Sequence, residues 1–270
     1  MERKPVTASI LEEIFAYKRL EIAHSRRVVP LDSLVEQVKD SPPALDFVGV
    51  LKQAPRRPAL IAEVKKRSPS RGQLALQFNP LALARLYAQN GAQAISVLTD
   101  ARYFGGSLEI LQAIAALPGR PPLLRKDFIC DAYQLYETRA AGADAILLIV
   151  AALSKDELQD LYAQAVELGM APLVEVHTLA ELEVALELDL KLVGINNRDL
   201  NTFEVNLETT LKLRPCISAG VTLIAESGIH TAQDVARLAQ AGVDAILVGE
   251  ALVTAPDVSA RVRELAGVPV

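Results

Sequence analysis

Gly91-Ala92-Gln93-Ala94-Ile95 recurs as Gly142-Ala143-Asp144-Ala145-Ile146 and again as Gly242-Val243-Asp244-Ala245-Ile246. In each copy the glycine is placed to end a helix and the Ala-Ile pair to open a strand, so the echo marks a repeated helix-to-strand joint. Working outward from it, short apolar runs stand at residues 59–64, 94–98, 123–124, 145–149, 172–176, 192–195, 222–225 and 245–248. Runs of this length separated by helical patterns are parallel strands covered on both faces. The helices between them carry start signals: Asn79-Pro80, Ser107, and the capping-box spacings Ser154…Glu157, Thr178…Glu181 and Thr231…Asp234. Eight such units favour a closed α/β barrel over a doubly wound sheet, and no Gly-x-Gly-x-x-Gly dinucleotide fingerprint supports the latter. The expected fold is a (β/α)8 TIM barrel over residues 49–270 with an N-terminal helical extension over residues 1–48. Leu11, Ile14, Phe15 and Ile22 form one apolar stripe there, which suits a helix covering an end of the barrel.

Composition narrows the function. A net charge of −5 argues against a general nucleic-acid or anionic-membrane surface, so an anion would need a local positive site. The longest apolar stretch, residues 145–153, falls far short of the ~20 residues of a membrane span. The N-terminus lacks the apolar core of a secretory signal, and Cys130 and Cys216 have no metal-ligand spacing, so a reducing cytoplasm is expected. His24, His177 and His230 are too scattered to suggest a metal site.

The carboxyl ends of barrel strands carry the active site. Here those ends read Glu63-Val64-Lys65, Arg125-Lys126-Asp127-Phe128, Glu175, Asn196-Asn197-Arg198, Glu226-Ser227-Gly228 and Gly249. Side chains alternate faces along a strand, so Glu63 and Lys65 share a face with Ile61, Lys126 with Leu124 and Phe128, and Glu175 with Leu173. The expected picture is apolar layers below and a ring of charge above: Lys65, Lys126 and Arg198 facing Glu63, Glu175 and Glu226. One such residue could be a structural ion pair, but six at strand ends point to function, because folds rarely gain net stability from removing so many charges from water. Ser227-Gly228 and Gly249-Glu250 follow the last two strands, where barrels frequently bind phosphate, and Lys65 could reach the same anion. Ser68-Pro69-Ser70-Arg71-Gly72 suits a gating loop. His177 is read as structural and His230 as part of a helix start.

The motifs Glu63-Val64-Lys65-Lys66-Arg67-Ser68-Pro69-Ser70, Leu124-Arg125-Lys126-Asp127-Phe128, Leu173-Val174-Glu175-Val176-His177, Gly194-Ile195-Asn196-Asn197-Arg198-Asp199-Leu200 and Ala225-Glu226-Ser227-Gly228-Ile229 closely resemble those of the indole-3-glycerol phosphate synthase family, in order. The resemblance implies ring closure, decarboxylation and dehydration of 1-(2-carboxyphenylamino)-1-deoxyribulose 5-phosphate in tryptophan synthesis, with no metal or organic cofactor. It implies Lys126 as general acid and Glu175 as the main acid–base group of dehydration; cationic neighbours are expected to lower the Lys126 pKa and so strengthen it as an acid. Glu63 and Asn196 position these groups, and Lys65 meets the substrate's anionic groups. Arg198 supports the carboxylate side, and Glu226 closes the charge ring. Ser68 belongs to the substrate loop. Phe104, Phe128, Leu148 and Leu200 are the expected apolar walls. Ser227, Gly228, Gly249 and the backbone of Glu250 are the expected phosphate contacts; many members of the family carry a hydroxyl residue at the last position. Phosphoribosylanthranilate isomerase, a related barrel, and a catalytically silent ligand-binding barrel are the competing readings, and the Lys126 and Glu175 signatures argue against both. Oligomeric state and association with other enzymes of the pathway lie outside what these motifs determine.

Overall fold

Eight parallel strands close into a ring in the computed structural model, which describes residues 10–69, 71–74, 78–199 and 202–268. They are β1 (Ala59–Val64), β2 (Ala94–Leu98), β3 (Leu123–Lys126), β4 (Ala145–Ile149), β5 (Ala171–Val176), β6 (Leu192–Asn196), β7 (Thr222–Glu226) and β8 (Ala245–Val248). Each strand pairs with its sequence neighbours, and β1 pairs with β8 with Ala59 opposite Ala245. That closing pair excludes the doubly wound sheet. The strands β3, β6 and β7 run past their apolar runs to Lys126, Asn196 and Glu226. Ladder hydrogen bonds belong to the backbone and are indifferent to the first charged side chain, so Leu98 stays paired with Lys126 and Asn196 with Glu226.

The echoed joints have a physical purpose. Gly91, Gly142 and Gly242 all adopt positive φ at helix ends, a conformation that costs glycine little. Two residues on, a polar side chain accepts the N–H of the preceding strand: Gln93 from Leu60 at 2.8 Å, Asp144 from Leu123 at 2.7 Å, and Asp244 from Leu223 at 3.0 Å. The repeat therefore pins successive strands at the barrel's amino-terminal end.

Alternation sorts the strand residues into two cores. Ile61, Leu124, Leu147, Leu173 and Ile224 fill the barrel interior, while Leu60, Ile95, Ile146, Leu148 and Val174 pack outward against the helices. Among the described residues three helices precede the barrel: α1 (Ile10–Val28), α2 (Leu31–Lys39) and α3 (Phe47–Lys52). Leu11, Ile14 and Phe15 of α1 pack against Tyr103, Phe128 and Leu153, and Ile22 packs with Leu34 of α2 and Tyr133. The short α3, capped by Asp46, instead puts Phe47 and Leu51 into the interior core beside Ala59 and Ile61. A boundary after residue 48 would therefore fall inside the helix that plugs the barrel. No helix among the described residues is long and apolar enough to cross a membrane.

Candidate active site

Lys126, the last residue of β3, reaches into the open end of the barrel between two carboxylates from strands further round the ring. Its Nζ lies 2.8 Å from Glu175 Oε2 and 2.9 Å from Glu226 Oε2. Beside them Lys65 Nζ lies 2.6 Å from Glu63 Oε1. Two glycines make room for this cluster: a Cβ on Gly194 would collide with Glu226 Oε1, and one on Gly249 with Glu63 Oε1. Arg198 sits at the loop after β6, where Nη1 donates to the Phe203 carbonyl at 3.1 Å and its N–H donates to Asn196 Oδ1 at 3.1 Å.

The charges on these groups follow from burial and neighbours. Burial alone would disfavour the Lys126 ammonium, but Glu175, Glu226 and Glu63 outweigh it and hold its pKa above the ordinary lysine value. This corrects the expectation of an acidity enhanced by cations: the neighbours of Lys126 are anions. Burial also works against the Glu175 carboxylate, yet Lys126 and His177 hold it well below the usual range. Glu226 goes the other way. Burial, with Glu175 and Glu63 nearby, overcomes Lys126 and pushes it up to about 7.

The cluster faces a cavity of about 500 Å³, a size that suits a small-molecule ligand. Phe104 and Phe128 form one wall, their ring centroids 6.1 Å apart, and Phe15 meets Phe128 edge-on at 5.7 Å. Ile10, Leu11 and Ile14 of α1 close the same side. Leu148 is not a wall residue: it points out of the barrel into the helix layer, and Leu147 and Ile149 line the cavity instead. All five β4 residues are apolar and buried, so the sequence carries no phase to say which face is inward. Leu200 lies outside the described residues. Ser68, Asn196, Ser227, Gly228, Gly249 and Glu250 all border the cavity.

A family model described as indole-3-glycerol phosphate synthase matches residues 11–265. The chain belongs to the indole-3-glycerol phosphate synthase family. A relative of that name from Roseiflexus castenholzii is 51% identical over 266 residues, spanning 96% of this chain and 98% of its own. One from Dehalococcoides mccartyi is 49% identical over 259 residues, spanning 95% and 99%. Solved structures share the fold at low identity. Thiamine phosphate pyrophosphorylase from Pyrococcus furiosus aligns with a TM-score of 0.59 at 16% identity, covering 81% of this chain and 96% of that one. A 3-hexulose-6-phosphate synthase from Salmonella typhimurium aligns at 0.60 and 14%, covering 78% and 97%.

Several interactions around this synthase-family site are not evident from the strand ends. Ser227 and Gly228 take consecutive left-handed conformations (φ 65° and 78°), and a Cβ on Gly228 would strike Val205. Glu250 does not stand alone at the mouth: Arg71 of the β1 loop pairs with it at 2.9 Å. Asn197 faces away from the cavity and donates to the carbonyls of Glu226 and Ser227 at 2.9 and 3.2 Å, tying the end of β7 to β6. Lys18 of α1 is 2% exposed, with Nζ 3.0 Å from both Asp100 and Asp127. Asp127 follows Lys126 directly. The one sequence signal for Lys18 is a cation within a burying helix face, three residues beyond Phe15 and four before Ile22.

Proposed function

We propose that this chain converts 1-(2-carboxyphenylamino)-1-deoxyribulose 5-phosphate into indole-3-glycerol phosphate, carbon dioxide and water, as a cytoplasmic enzyme of tryptophan synthesis. The observation that carries the proposal is Lys126 held between Glu175 and Glu226 at the floor of an apolar-walled cavity. The aromatic ring lies between Phe104, Phe128 and α1. Its carboxyl-bearing carbon attacks the ketone carbon, and the carbonyl oxygen takes a proton from Lys126. The carboxylate anions around Lys126 keep it loaded with that proton at neutral pH.

Carbon dioxide then leaves, and the electron pair of the broken bond flows toward the positively charged ring nitrogen. In dehydration the ring methylene loses a proton and the new hydroxyl leaves as water. Glu175, ionised, is the base; Glu226, pushed up to about 7, exchanges a proton near neutral pH and is the group that can deliver one. Two carboxyls pushed apart in this way are suited to opposite roles. Glu63 orients Lys65 toward the substrate's anionic groups, and Asn196 and Arg198 hold the hydroxyl and carboxylate sides. Ser227, Gly228, Gly249 and the N–H of Glu250 meet the phosphate after β7 and β8.

Indole formation tests this directly. The chain has no Trp, so product fluorescence rises over a low background. Folded protein that yields no indole product from this substrate overturns the proposal.

A further inference from the structure

His177 stands one residue beyond β5 and does not line the cavity, yet its ring is buried between two carboxylates. Nδ1 is 3.0 Å from Glu181 Oε2, and Nε2 is 3.4 Å from Glu175 Oε1. The other oxygen of Glu175 meets Lys126. The Glu175 carboxylate is thus bracketed, with Lys126 on one oxygen and His177 on the other. Glu181 is not placed there by helix capping alone. Thr178 Oγ1 accepts the Glu181 N–H at 3.2 Å, as an N-cap should, but the Glu181 carboxylate turns to the N–H and ring of His177. The chain contains a control for this geometry. His230-Thr231 followed by Asp234 repeats the pattern of His177-Thr178 followed by Glu181. There the shorter acid closes a full capping box and also accepts the His230 N–H at 3.0 Å, but the His230 side chain is exposed rather than buried between carboxylates.

We propose that His177, held by Glu181, is a positioning residue that orients the Glu175 carboxylate and keeps it ionised between turnovers. This deepens the functional reading above and rests on it. Glu175 must accept a proton in dehydration and lose it before the next cycle. A fixed cation on the oxygen away from Lys126 favours that loss and prevents the carboxylate from rotating out of line. The ionisable groups facing His177 are Glu175 and Glu181, with Lys126 and Glu226 beyond Glu175. Burial works against the imidazolium, but the two glutamates win and raise its pKa to about 10. The corresponding contribution to stability is complete below the ordinary value of 6.5 and is lost as pH rises through about 10.

The test uses His177→Asn and Glu181→Gln in the full chain, with kcat and KM measured against pH. Both variants should lower kcat by roughly tenfold to a hundredfold, the scale of a misplaced reacting group. KM should change by less than about twofold, because substrate contacts remain. In His177→Asn the acid limb of the kcat profile should move to higher pH, because Glu175 loses a neighbouring positive charge. A structural role alone lowers the melting temperature and leaves that limb in place; an unmoved limb in folded His177→Asn overturns the proposal. Histidine-selective NMR of the unaltered protein gives a second reading that needs neither turnover nor a variant. The chain has three histidines, and the His177 ring should remain charged at pH 8. Titration of that ring at or below pH 7 also overturns the proposal. If the unaltered protein makes no indole product, the functional reading fails while the NMR result still decides the state of His177.

Discussion

Lys126 holds together two carboxylates that would otherwise repel, so its removal should affect both rate and stability, with different signatures. Lys126→Met keeps the stem and deletes the proton donor. Turnover should fall by ~10² or more, the scale of losing a general acid, with KM much less affected. The stability effect should depend on pH. Glu226 has a raised folded pKa, so the folded state binds more protons than the unfolded state, and stability falls as pH rises from about 4 toward about 7. Without Lys126 the Glu175 pKa rises from its depressed position and that of Glu226 rises further, so the loss in melting temperature should be small near pH 5 and large near pH 8. A uniform loss at both pH values would show that the lysine acts by packing, and normal turnover would remove it from the mechanism. Alternation along each strand was enough to point Glu63, Lys65, Lys126 and Glu175 inward, because each of these strands has a polar end that sets its phase. The same reasoning could not place Leu148, since β4 is apolar throughout.

At the level of elements, α1 is attached to the barrel by charge as well as by its apolar stripe. Lys18 crosses to Asp100, at the N-cap of the short helix Ala101–Phe104, and to Asp127, which also meets Arg125 at 3.0 Å. Burial opposes the Lys18 charge, but Asp127, Asp100 and Glu21 raise its pKa overall. Lys18→Met leaves two buried carboxylates short of a partner and should cost about 3 kcal/mol or more. Hydrogen exchange should show α1 opening first, and KM should rise as Ile10, Leu11 and Ile14 lose their place on the cavity wall. An unchanged KM with α1 loosened would separate the helix from the site. Periodicity shows that α1 is amphipathic, but a lysine on a buried face cannot be assigned a partner until β2 and β3 are placed beside it.

For the molecule as a whole, the charged cavity and the clamps that join strand to strand lie at opposite ends of the barrel. The open end carries strained backbone and mutually repelling carboxylates. The amino-terminal end carries α3 and the clamps of the repeated joint. Asp144 is the most heavily used clamp, accepting the N–H groups of Leu123 and Leu45 at 2.7 Å each and pairing with Arg120. Asp144→Ala should cost roughly 2 to 4 kcal/mol, since it strands a buried N–H and a charge. Denaturant melts should report that loss while kcat of the folded fraction stays near normal. A large fall in kcat at unchanged stability would contradict the separation of the two ends.

The family resemblance rested on five motifs; the number and order of the strands, the closed barrel and the strand ends that bear charge were legible in the sequence pattern. Those features depend on local periodicity, on glycine at helix ends and on side-chain alternation, all of which act within a few residues. Tertiary structure alone decided which charges pair: Lys126 with two glutamates, Lys18 with Asp100 and Asp127, Arg71 with Glu250, and His177 with Glu175 and Glu181. It also decided the direction of each shifted pKa. Coulomb energies and desolvation depend on distance and burial in three dimensions, and no spacing along the chain encodes either.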